Sequence, residues 1–205
     1  MPLDAQRHAA ALYDETCGPD RDDLWTYLPD GPYTGRQPFD QDLAAKAQSS
    51  DPLFFAIVDR ASGRALGVAA YLRLDPSNRV VEVGHILFGR GLQRTAAATE
   101  AMYLMARYVF EELGYRRYEW KCDTRNEPSR RAAERLGFTF EGVFRQHMIR
   151  KGQNRDSAWF SMLDGEWPAN KQAFERWLDP ANFDAAGKQR RTLGSLRLAS
   201  ADPLP

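Results

Sequence analysis

The stretch VVEVGHILFGRGLQRTAAATEAMYLMARYVFEELG, residues 80–114, decides the fold that we predict for this chain. Residues 80–88 show an alternation of side chains that fits the two faces of a β-strand, with Glu82, Gly84 and Ile86 on one face. Residues 94–114 are rich in Ala, Leu, Met and Glu, which favours a long helix, and Gly114 is suited to end it. The stretch therefore predicts a strand that leads into the strongest helix of the chain.

A second strand and a second helix follow this pair. YEWKC at 118–122 predicts a strand, and EPSRRAAERLG at 127–137 predicts a helix with Asn126 as its N-cap and Pro128 in its first turn. Two strands joined through a helical crossover usually lie parallel to each other. We therefore expect the strands at 80–88 and 118–122 to be a parallel pair.

The rest of the chain indicates hairpins and flanking helices. Gly63 is suited to a hairpin turn, and Asp40 is a candidate helix cap. Further strands are predicted at 54–59, 65–74, 138–150 and 156–163, and further helices at 5–13, 39–49 and 167–178. The predicted fold class is α+β, with a mixed, mostly antiparallel central sheet flanked by helices.

Length and charge limit the organisation and the partners of the chain. A chain of 205 residues is long enough for one domain with a substantial core. We expect this domain to span 1–178, and the small and charged residues at 179–205 to form a mobile C-terminal tail. The 28 basic and 28 acidic residues balance, so composition gives no argument for a nucleic-acid or membrane partner.

The sequence indicates neither a targeting segment nor a metal site. No run approaches the roughly 20 apolar residues that span a bilayer, and the polar start lacks a signal-peptide pattern, so we expect a cytoplasmic protein. Cys17 and Cys122 have no CxxC spacing, and Cys122 in a strand pattern is more typical of a buried thiol than of a nucleophile. His8, His85 and His147 lie far apart and predict no metal site.

Residues 22–37 carry aromatic side chains among Pro and Gly, which is typical of an ordered loop. Such a loop either forms the wall of a substrate cleft or covers one edge of the core, and the sequence favours neither. Trp25 and Tyr33 are the candidates from this loop for binding a substrate.

The junction FGRGLQRTAAATE, residues 88–100, joins strand and helix through Gly89, Gly91 and small residues at 96–98. A helix N-terminus offers unpaired N–H groups and a positive dipole end, and small side chains let an anion approach the backbone. Phosphate binding is the natural use of such a junction. Glycines and alanines in this setting also serve turns and helix packing alone, so the junction needs a second signal.

The second signal is the block NEPSRRAAERLGF at 126–138. The order of elements, the junction and this block resemble the GNAT acetyltransferases, near the branch that contains the ribosomal-protein N-terminal acetyltransferases. The resemblance covers residues 54–163 and implies the GNAT fold and acetyl-CoA as cosubstrate. In that family a Gln/Arg-x-x-Gly-x-Gly/Ala loop holds the coenzyme pyrophosphate. The matching residues, with Ala in place of the central Gly, are Gln93, Arg94, Thr95, Ala96, Ala97 and Ala98.

The later block implies two further roles. In the family an Asn after the strand hydrogen-bonds the pantetheine arm, and that position is Asn126. Many members use a Tyr in the following helix to protonate the leaving thiolate, but the equivalent position here is Ala133. The ribosomal-protein branch resembles N-x-x-S instead, so Ser129 is the candidate to protonate or hold the thiolate. Both side chains could also act only in stabilising the first helical turn.

An amine must lose a proton before or during attack on a thioester, so a general base is expected. Glu82 is the first candidate, because many relatives carry a Glu base on this strand. His85 is the competing base or substrate-binding residue, since imidazole titrates near neutral pH. Strand alternation puts His85 on the face opposite Glu82, so only one of them should face the cleft. His147 and Asp156 are further candidates for binding an acceptor.

The resemblance implies direct transfer of acetyl from acetyl-CoA to a primary amine in a ternary complex, without an acyl-enzyme. The expected acceptor is a protein N-terminus or a small-molecule amine, and the expected state is a monomer or homodimer. The alternative is a non-catalytic acyl-CoA-binding or regulatory module of the same fold, which Ala96 and the missing Tyr favour.

Overall fold

The computed structural model describes the backbone of residues 1–201 and the side chains of residues 1–197. The strands of its six-stranded sheet are β1 Leu53–Val58, β2 Ala65–Asp75, β3 Val80–Phe88, β4 Arg117–Asp123, β5 Thr139–Arg150 and β6 Gln153–Leu163. The α-helices are α1 Ala5–Thr16, α2 Arg36–Gln48, α3 Ala96–Arg107, α4 Glu127–Leu136, α5 Trp167–Leu178 and α6 Leu193–Ala201.

The sheet is mixed and mostly antiparallel, as predicted. Its strand order is β1-β2-β3-β4-β6-β5. β3 and β4 are parallel neighbours joined through α3, and the other neighbouring pairs are antiparallel. The predicted crossover and the predicted closing hairpin of β5 and β6 are both confirmed.

Helices cover the sheet on both faces. On one face α3, α4 and α5 pack over a core that includes the fully buried Tyr118 and Phe160. On the other face α1 and α2 cover β1, β2 and the end of β3, with Leu12 and Phe39 in a second core. Each such large side chain stabilises the fold by roughly 1.5–3 kcal/mol relative to exposure. On this other face, α1 and α2 do not extend over β4, β6 and β5.

The long helix begins later than predicted. Arg94 has a φ of +60°, which an α-helix cannot contain, so α3 starts at Ala96 with Thr95 as its N-cap. After Arg107 the chain continues as one π-helical turn, Tyr108–Glu112, and Gly114 then ends it with a φ of +61°.

The candidate cap of α2 is wrong. The helix starts at Arg36, and its N-cap is the extended Gly35. Asp40 instead lies one turn inside the helix, where it accepts a hydrogen bond from Arg36 at 2.6 Å.

The first residues of the chain pair with the sheet edge. The Leu3 amide donates to the Phe54 carbonyl at 3.0 Å, and the Ala56 amide donates to the Met1 carbonyl at 3.0 Å. This short pairing shields β1, the edge strand. Within the part of the chain that the structure describes, no helix is long and apolar enough to cross a membrane.

The prediction of a mobile tail from residue 179 needs correction. Leu193 and Leu196 are 1% and 2% exposed, and both belong to the core that also contains Trp177. Asn182 holds the intervening loop, because its side-chain amide donates to the Trp177 carbonyl at 3.1 Å and to the Arg191 carbonyl at 3.2 Å. No local pattern predicts this packing, because its apolar contacts come from isolated residues among polar ones, namely Phe183, Leu193 and Leu196. Residues 202–205 of the predicted tail lie outside the described residues.

Replacing Leu193 with alanine should therefore destabilise the domain by about 2–5 kcal/mol, the usual cost of a leucine-sized cavity in a core. Urea unfolding followed by circular dichroism measures this change. Leu104→Ala is the matched control, because Leu104 is 43% exposed on α3 and should cost less than about 1 kcal/mol. Equal stability of Leu193→Ala and the wild type would show that the segment does not belong to the folded domain.

Candidate active site

A bulge in β3 shapes the candidate site. Val68 of β2 pairs with Leu87, and Ala70 pairs with Gly84, so two steps along β2 match three along β3. The extra residue is His85, whose φ is +49°. A β-bulge of this kind bends its strand and re-aims the side chains beyond it.

The bulge changes which residues of β3 share a face. Ile86 packs against the core beneath α3, on the face opposite Glu82. Glu82 and His85 instead line the same cleft. The expectation that only one of them would face the cleft is wrong, because an inserted residue reverses the alternation of a strand.

The cleft opens where β3 and β4 diverge. Their parallel pairing runs from Val80 with Arg117 to Val83 with Trp120 and stops there. The remaining halves of the two strands border a cavity of about 1380 Å³. Gly84 stands at the divergence, where a Cβ atom would lie 2.9 Å from a Leu72 methyl group.

The start of α3 forms one end of the cleft. Thr95 caps the helix, because its hydroxyl accepts from the Ala98 amide at 3.2 Å and donates to the Leu92 carbonyl at 2.7 Å. The amides of Ala96 and Ala97 have no hydrogen-bond partner within the described chain. Two N–H groups and the positive end of the helix dipole are therefore available to an anion.

The predicted anion-binding residues take different roles in this loop. The Gln93 side chain donates to the Phe88 carbonyl at 3.0 Å and so closes the loop, and Arg94 lies exposed on the cleft. The Ala98 amide, which was expected to bind phosphate, is already used by the Thr95 cap. Ala96 and Ala98 line the cleft.

The start of α4 brings a second group of predicted residues to the same cleft. Asn126 is the N-cap, and its side-chain oxygen accepts from the Ser129 amide at 3.2 Å. The Trp120 indole N–H donates to the Ser129 hydroxyl at 3.0 Å. The hydroxyl proton of Ser129 is thus free to point at another acceptor, and the Cys122 sulfur is an acceptor within its reach. Ala133 is fully buried and does not line the cleft.

Cys122 lies beside Ser129 on the cleft wall but is 5% exposed. Burial raises the pKa of its thiol, against the opposing effect of the Ser129 hydrogen bond. A buried thiol with a raised pKa is a poor nucleophile, which agrees with the prediction that Cys122 is a packing residue.

Glu82 lies at the centre of a buried ion network. It is 4% exposed and forms ion pairs with Arg73 and with Lys121, whose Nζ lies 3.0 Å from its carboxylate. The same Nζ lies 2.8 Å from Glu119. Burial opposes ionisation of Glu119, but hydrogen bonds from Lys121 and Arg117 outweigh it and lower the pKa of that carboxyl. Lys121 therefore compensates two buried carboxylates, of which Glu82 lines the cleft.

Two histidines reach the cleft through irregular strands. His85 does so at the bulge of β3, and His147 follows Gln146, whose φ is +50° at an irregularity of β5. His147 Nδ1 lies 2.9 Å from the Ser157 hydroxyl. Burial lowers the pKa of both rings; the charge of Lys46 adds to this for His85, and the charge of Arg155 for His147. Both imidazoles are therefore neutral at pH 7 and able to accept a proton.

The loop at 22–37 divides between the core and the cleft. Trp25 is 2% exposed and donates to the Thr16 carbonyl at 2.7 Å, and Tyr33 packs edge-on against its ring at 5.1 Å. Neither side chain lines the cleft. Trp25 instead lines a small neighbouring cavity together with His85. Tyr27 and Leu28 from the same loop do line it. Asp156 also lies away from the cleft, and accepts from the Gln146 amide at 2.7 Å.

The cleft also contains cations that no sequence pattern predicted. Arg73, Lys121, Arg150 and Arg155 all line it. Each lies in a strand as a charged residue among apolar or polar neighbours, which is equally typical of a solvent-facing position. Among the described residues, no group of three or more His, Cys, Asp or Glu side chains is placed to hold a metal ion.

Known proteins share this architecture. Residues 2–139 match the family model described as an acetyltransferase (GNAT) domain. A crystal structure of a GCN5-related N-acetyltransferase from Brucella melitensis aligns with a TM-score of 0.93 and 52% identity, over 96% of this chain and 89% of that one. A crystal structure from Chromobacterium violaceum, described as "probable acetyltransferases (GNAT family)", aligns with a TM-score of 0.76 and 45% identity, over 82% and 83%.

A curated relative adds a similarity in sequence. The Bacillus subtilis protein named "Putative ribosomal N-acetyltransferase YdaF" is 31% identical over 109 residues. The match covers 53% of this chain and 59% of the relative. The chain thus aligns with less than two thirds of that relative's length.

Replacing Lys121 with methionine should cost about 3 kcal/mol of unfolding free energy at pH 7, because it leaves buried carboxylates with one cation less. Because the pKa of Glu119 is lowered in the folded state, this group stabilises the fold at pH values above the ordinary Glu pKa of 4.5. That stabilisation is lost as the pH falls through the lowered pKa of the folded state. The deficit of the variant should therefore be largest at pH 7 and should shrink below pH 4.5.

Urea unfolding at several pH values measures this dependence. Lys171→Met is the matched control, since Lys171 forms an exposed pair with Glu111 at 2.8 Å and such pairs contribute about 0–1 kcal/mol. A Lys121→Met deficit that is small, or that does not change with pH, would contradict the assigned network.

Proposed function

Because this chain belongs to the GNAT acetyltransferase family, we propose that it transfers the acetyl group of acetyl-CoA directly to a primary amine. The observation that carries the proposal is that one cleft joins the open N-terminus of α3, the Asn126 and Ser129 pair and the buried carboxylate of Glu82. Acetyl-CoA supplies the activated acetyl group as a thioester. The acceptor is a protein N-terminus or a small-molecule amine.

The cleft residues fit the cosubstrate in charge and in hydrogen-bonding capacity. The amides of Ala96 and Ala97 and the guanidinium of Arg94 offer N–H donors and positive charge to the pyrophosphate. Beyond Val83 the edge of β3 that faces β4 has no strand partner. This edge and the Asn126 side chain would hydrogen-bond the amides of the pantetheine arm, as an added strand would.

Glu82 is the proposed general base. It would take the proton of the attacking amine directly or through one water, at a position fixed by its ion pairs with Arg73 and Lys121. His85 is the second candidate, because its neutral imidazole lines the same part of the cleft. Ser129 would donate its hydroxyl proton to the leaving thiolate, since Trp120 already donates to its oxygen.

We place the reaction in the cytoplasm. Both cysteines of the chain, Cys17 and Cys122, are free thiols, which suits a reducing compartment. Neither a nucleic acid nor a membrane is proposed as a partner, and the active unit is a monomer or a homodimer.

Proline at position 96 tests the role of the α3 amides. Ala96 is the first residue of the helix, and Thr95 before it has a ψ of 165°, so Ala96→Pro removes one N–H with little strain. Loss of a hydrogen bond to a charged group, about 1.5–3 kcal/mol, should weaken CoA binding at least about tenfold in calorimetry.

The matched control is Ala5→Pro, at the first position of α1 after the extended Asp4 and outside the cleft. It should leave the Kd of CoA unchanged. Equal affinity of Ala96→Pro and Ala5→Pro would remove α3 from the proposed binding site.

Release of CoA thiol, measured across peptide and small amine acceptors, tests the reaction itself. Glu82→Gln and Ser129→Ala should each lower kcat about 10²-fold or more, because each removes a proton-transfer group. The control is Glu141→Gln, which removes a carboxylate paired with Arg117 away from the cleft.

Circular dichroism and CoA affinity of every variant separate lost chemistry from lost folding. Two results would count against the assignments: wild-type activity in both variants, or equal losses in Glu141→Gln. Wild-type protein that binds acetyl-CoA and releases no thiol with any acceptor would indicate the non-catalytic acyl-CoA-binding module instead.

A further inference from the structure

Two half-buried arginines of the closing hairpin line the cleft. Arg155 of β6 pairs with Met148 of β5, and Arg150 lies two residues beyond Met148 on the same strand. Paired residues and residues two apart share a sheet face. Arg150 and Arg155 therefore project from one face, and both line the cleft.

Neither guanidinium has an acidic partner in the described part of the chain. Arg150 donates weakly to the Met148 sulfur at 3.7 Å, and the Nε atoms of both arginines are buried without a hydrogen-bond partner. Asp123 lies near Arg155, but its carboxylate is bonded by Arg125 at 2.9 and 3.1 Å. Burial, followed by the charge of Arg150, lowers the pKa of Arg155. The carboxylates of Asp123 and Glu82 oppose this shift without forming an ion pair with Arg155. Two partly desolvated cations without ion-pair partners are costly to the fold unless an anion joins them.

These arginines lie on the same face of the sheet as Glu82. Arg155 shares a face with Ser157 and Trp159, and the Trp159 ring lies 3.5 Å from Lys121 Nζ, the partner of Glu82. The helices α3 and α4, whose N-termini form the proposed coenzyme site, pack on the opposite face. The charge of Arg150 also acts on His85, and that of Arg155 acts on His147.

The loop at 22–37 closes over this side of the cleft. Lys151, which follows Arg150, donates to the Trp25 carbonyl at 2.7 Å. The Tyr27 hydroxyl donates to the Arg125 carbonyl at 3.0 Å. These two contacts tie the loop to the turn that follows Arg150 and to the segment that follows β4. The two arginine side chains of the hairpin are half-buried, and partial burial of a guanidinium strengthens its attraction for an anion.

We propose that Arg150 and Arg155 form an anion-binding subsite for the acceptor, so that the preferred substrates are primary amines that also carry a carboxylate. This inference rests on the proposed acetyl transfer. A guanidinium binds a carboxylate through two parallel hydrogen bonds, which would orient the amine of such a substrate toward Glu82 and His85.

Matched acceptors test the subsite. Each pair consists of a short peptide or amino acid with a free carboxylate and the same compound with a carboxamide in its place. The wild type should show at least a tenfold higher kcat/KM for the carboxylate of each pair. The double variant Arg150→Gln, Arg155→Gln should lose this preference while keeping its KM for acetyl-CoA. Arg145→Gln, an exposed position of β5 outside the cleft, should keep both.

Two results of these kinetics would overturn the subsite. One is an unchanged preference in the double variant. The other is a raised KM for acetyl-CoA with unchanged discrimination between acceptors, which would assign the arginines to the phosphates of the coenzyme.

Thermal unfolding tests the subsite without turnover. With saturating CoA, which occupies the coenzyme phosphate site, added sulfate should raise the Tm of the wild type and of Arg145→Gln more than that of the double variant. The double variant should also be at least as stable as the wild type without sulfate, because it lacks two uncompensated cations. A less stable double variant with an unaltered sulfate response would show that the arginines only pack.

The two measurements separate this inference from the function on which it rests. If the wild type acetylates no amine, the proposed function fails, and the sulfate response still reports on the anion site. If the wild type acetylates amines and the paired acceptors react equally, only the subsite fails.

Discussion

The site of this protein depends on one extra residue in β3. Because His85 has no partner of its own on β2, the strand bends and its alternation reverses. The bend coincides with the point at Val83 where pairing between β3 and β4 stops. A parallel pair that diverges leaves unpaired backbone groups and a gap in the sheet, and such groups must meet water or a ligand. The cleft follows from this constraint.

The two faces of the sheet contribute different kinds of group to the cleft. The face beneath α3 and α4 is apolar and presents the open N-terminus of one helix and the capped start of the other. The opposite face carries ionised groups, and Lys121 lies between the carboxylates of Glu82 and Glu119. In a low-dielectric environment each of these charges destabilises the fold if it has no partner, and opposite charges attract each other strongly. The positions of Glu82 and of the hairpin arginines matter for this reason.

The start of α3 combines one capped amide with two amides that remain available to a ligand. Thr95 uses its hydroxyl to cap the Ala98 amide, and this leaves the first two amides of the helix open. Alanine at 96, where the family pattern has glycine, adds a methyl group but removes no N–H. Binding at such a site relies on backbone donors, so it tolerates side-chain change better than a site built from side chains.

The sequence by itself determined the order of elements as far as α5, the parallel crossover, the junction at 93–98 and the cap at Asn126, because hydrophobic period, caps and glycine stops are local properties. Tertiary structure alone decided that His85 joins Glu82 on one face, since a bulge depends on the register between two strands. Tertiary structure also decided that Trp25 and Leu193 are buried and that Glu82 pairs with Lys121. These outcomes rest on contacts between segments distant in the chain, which no local pattern encodes.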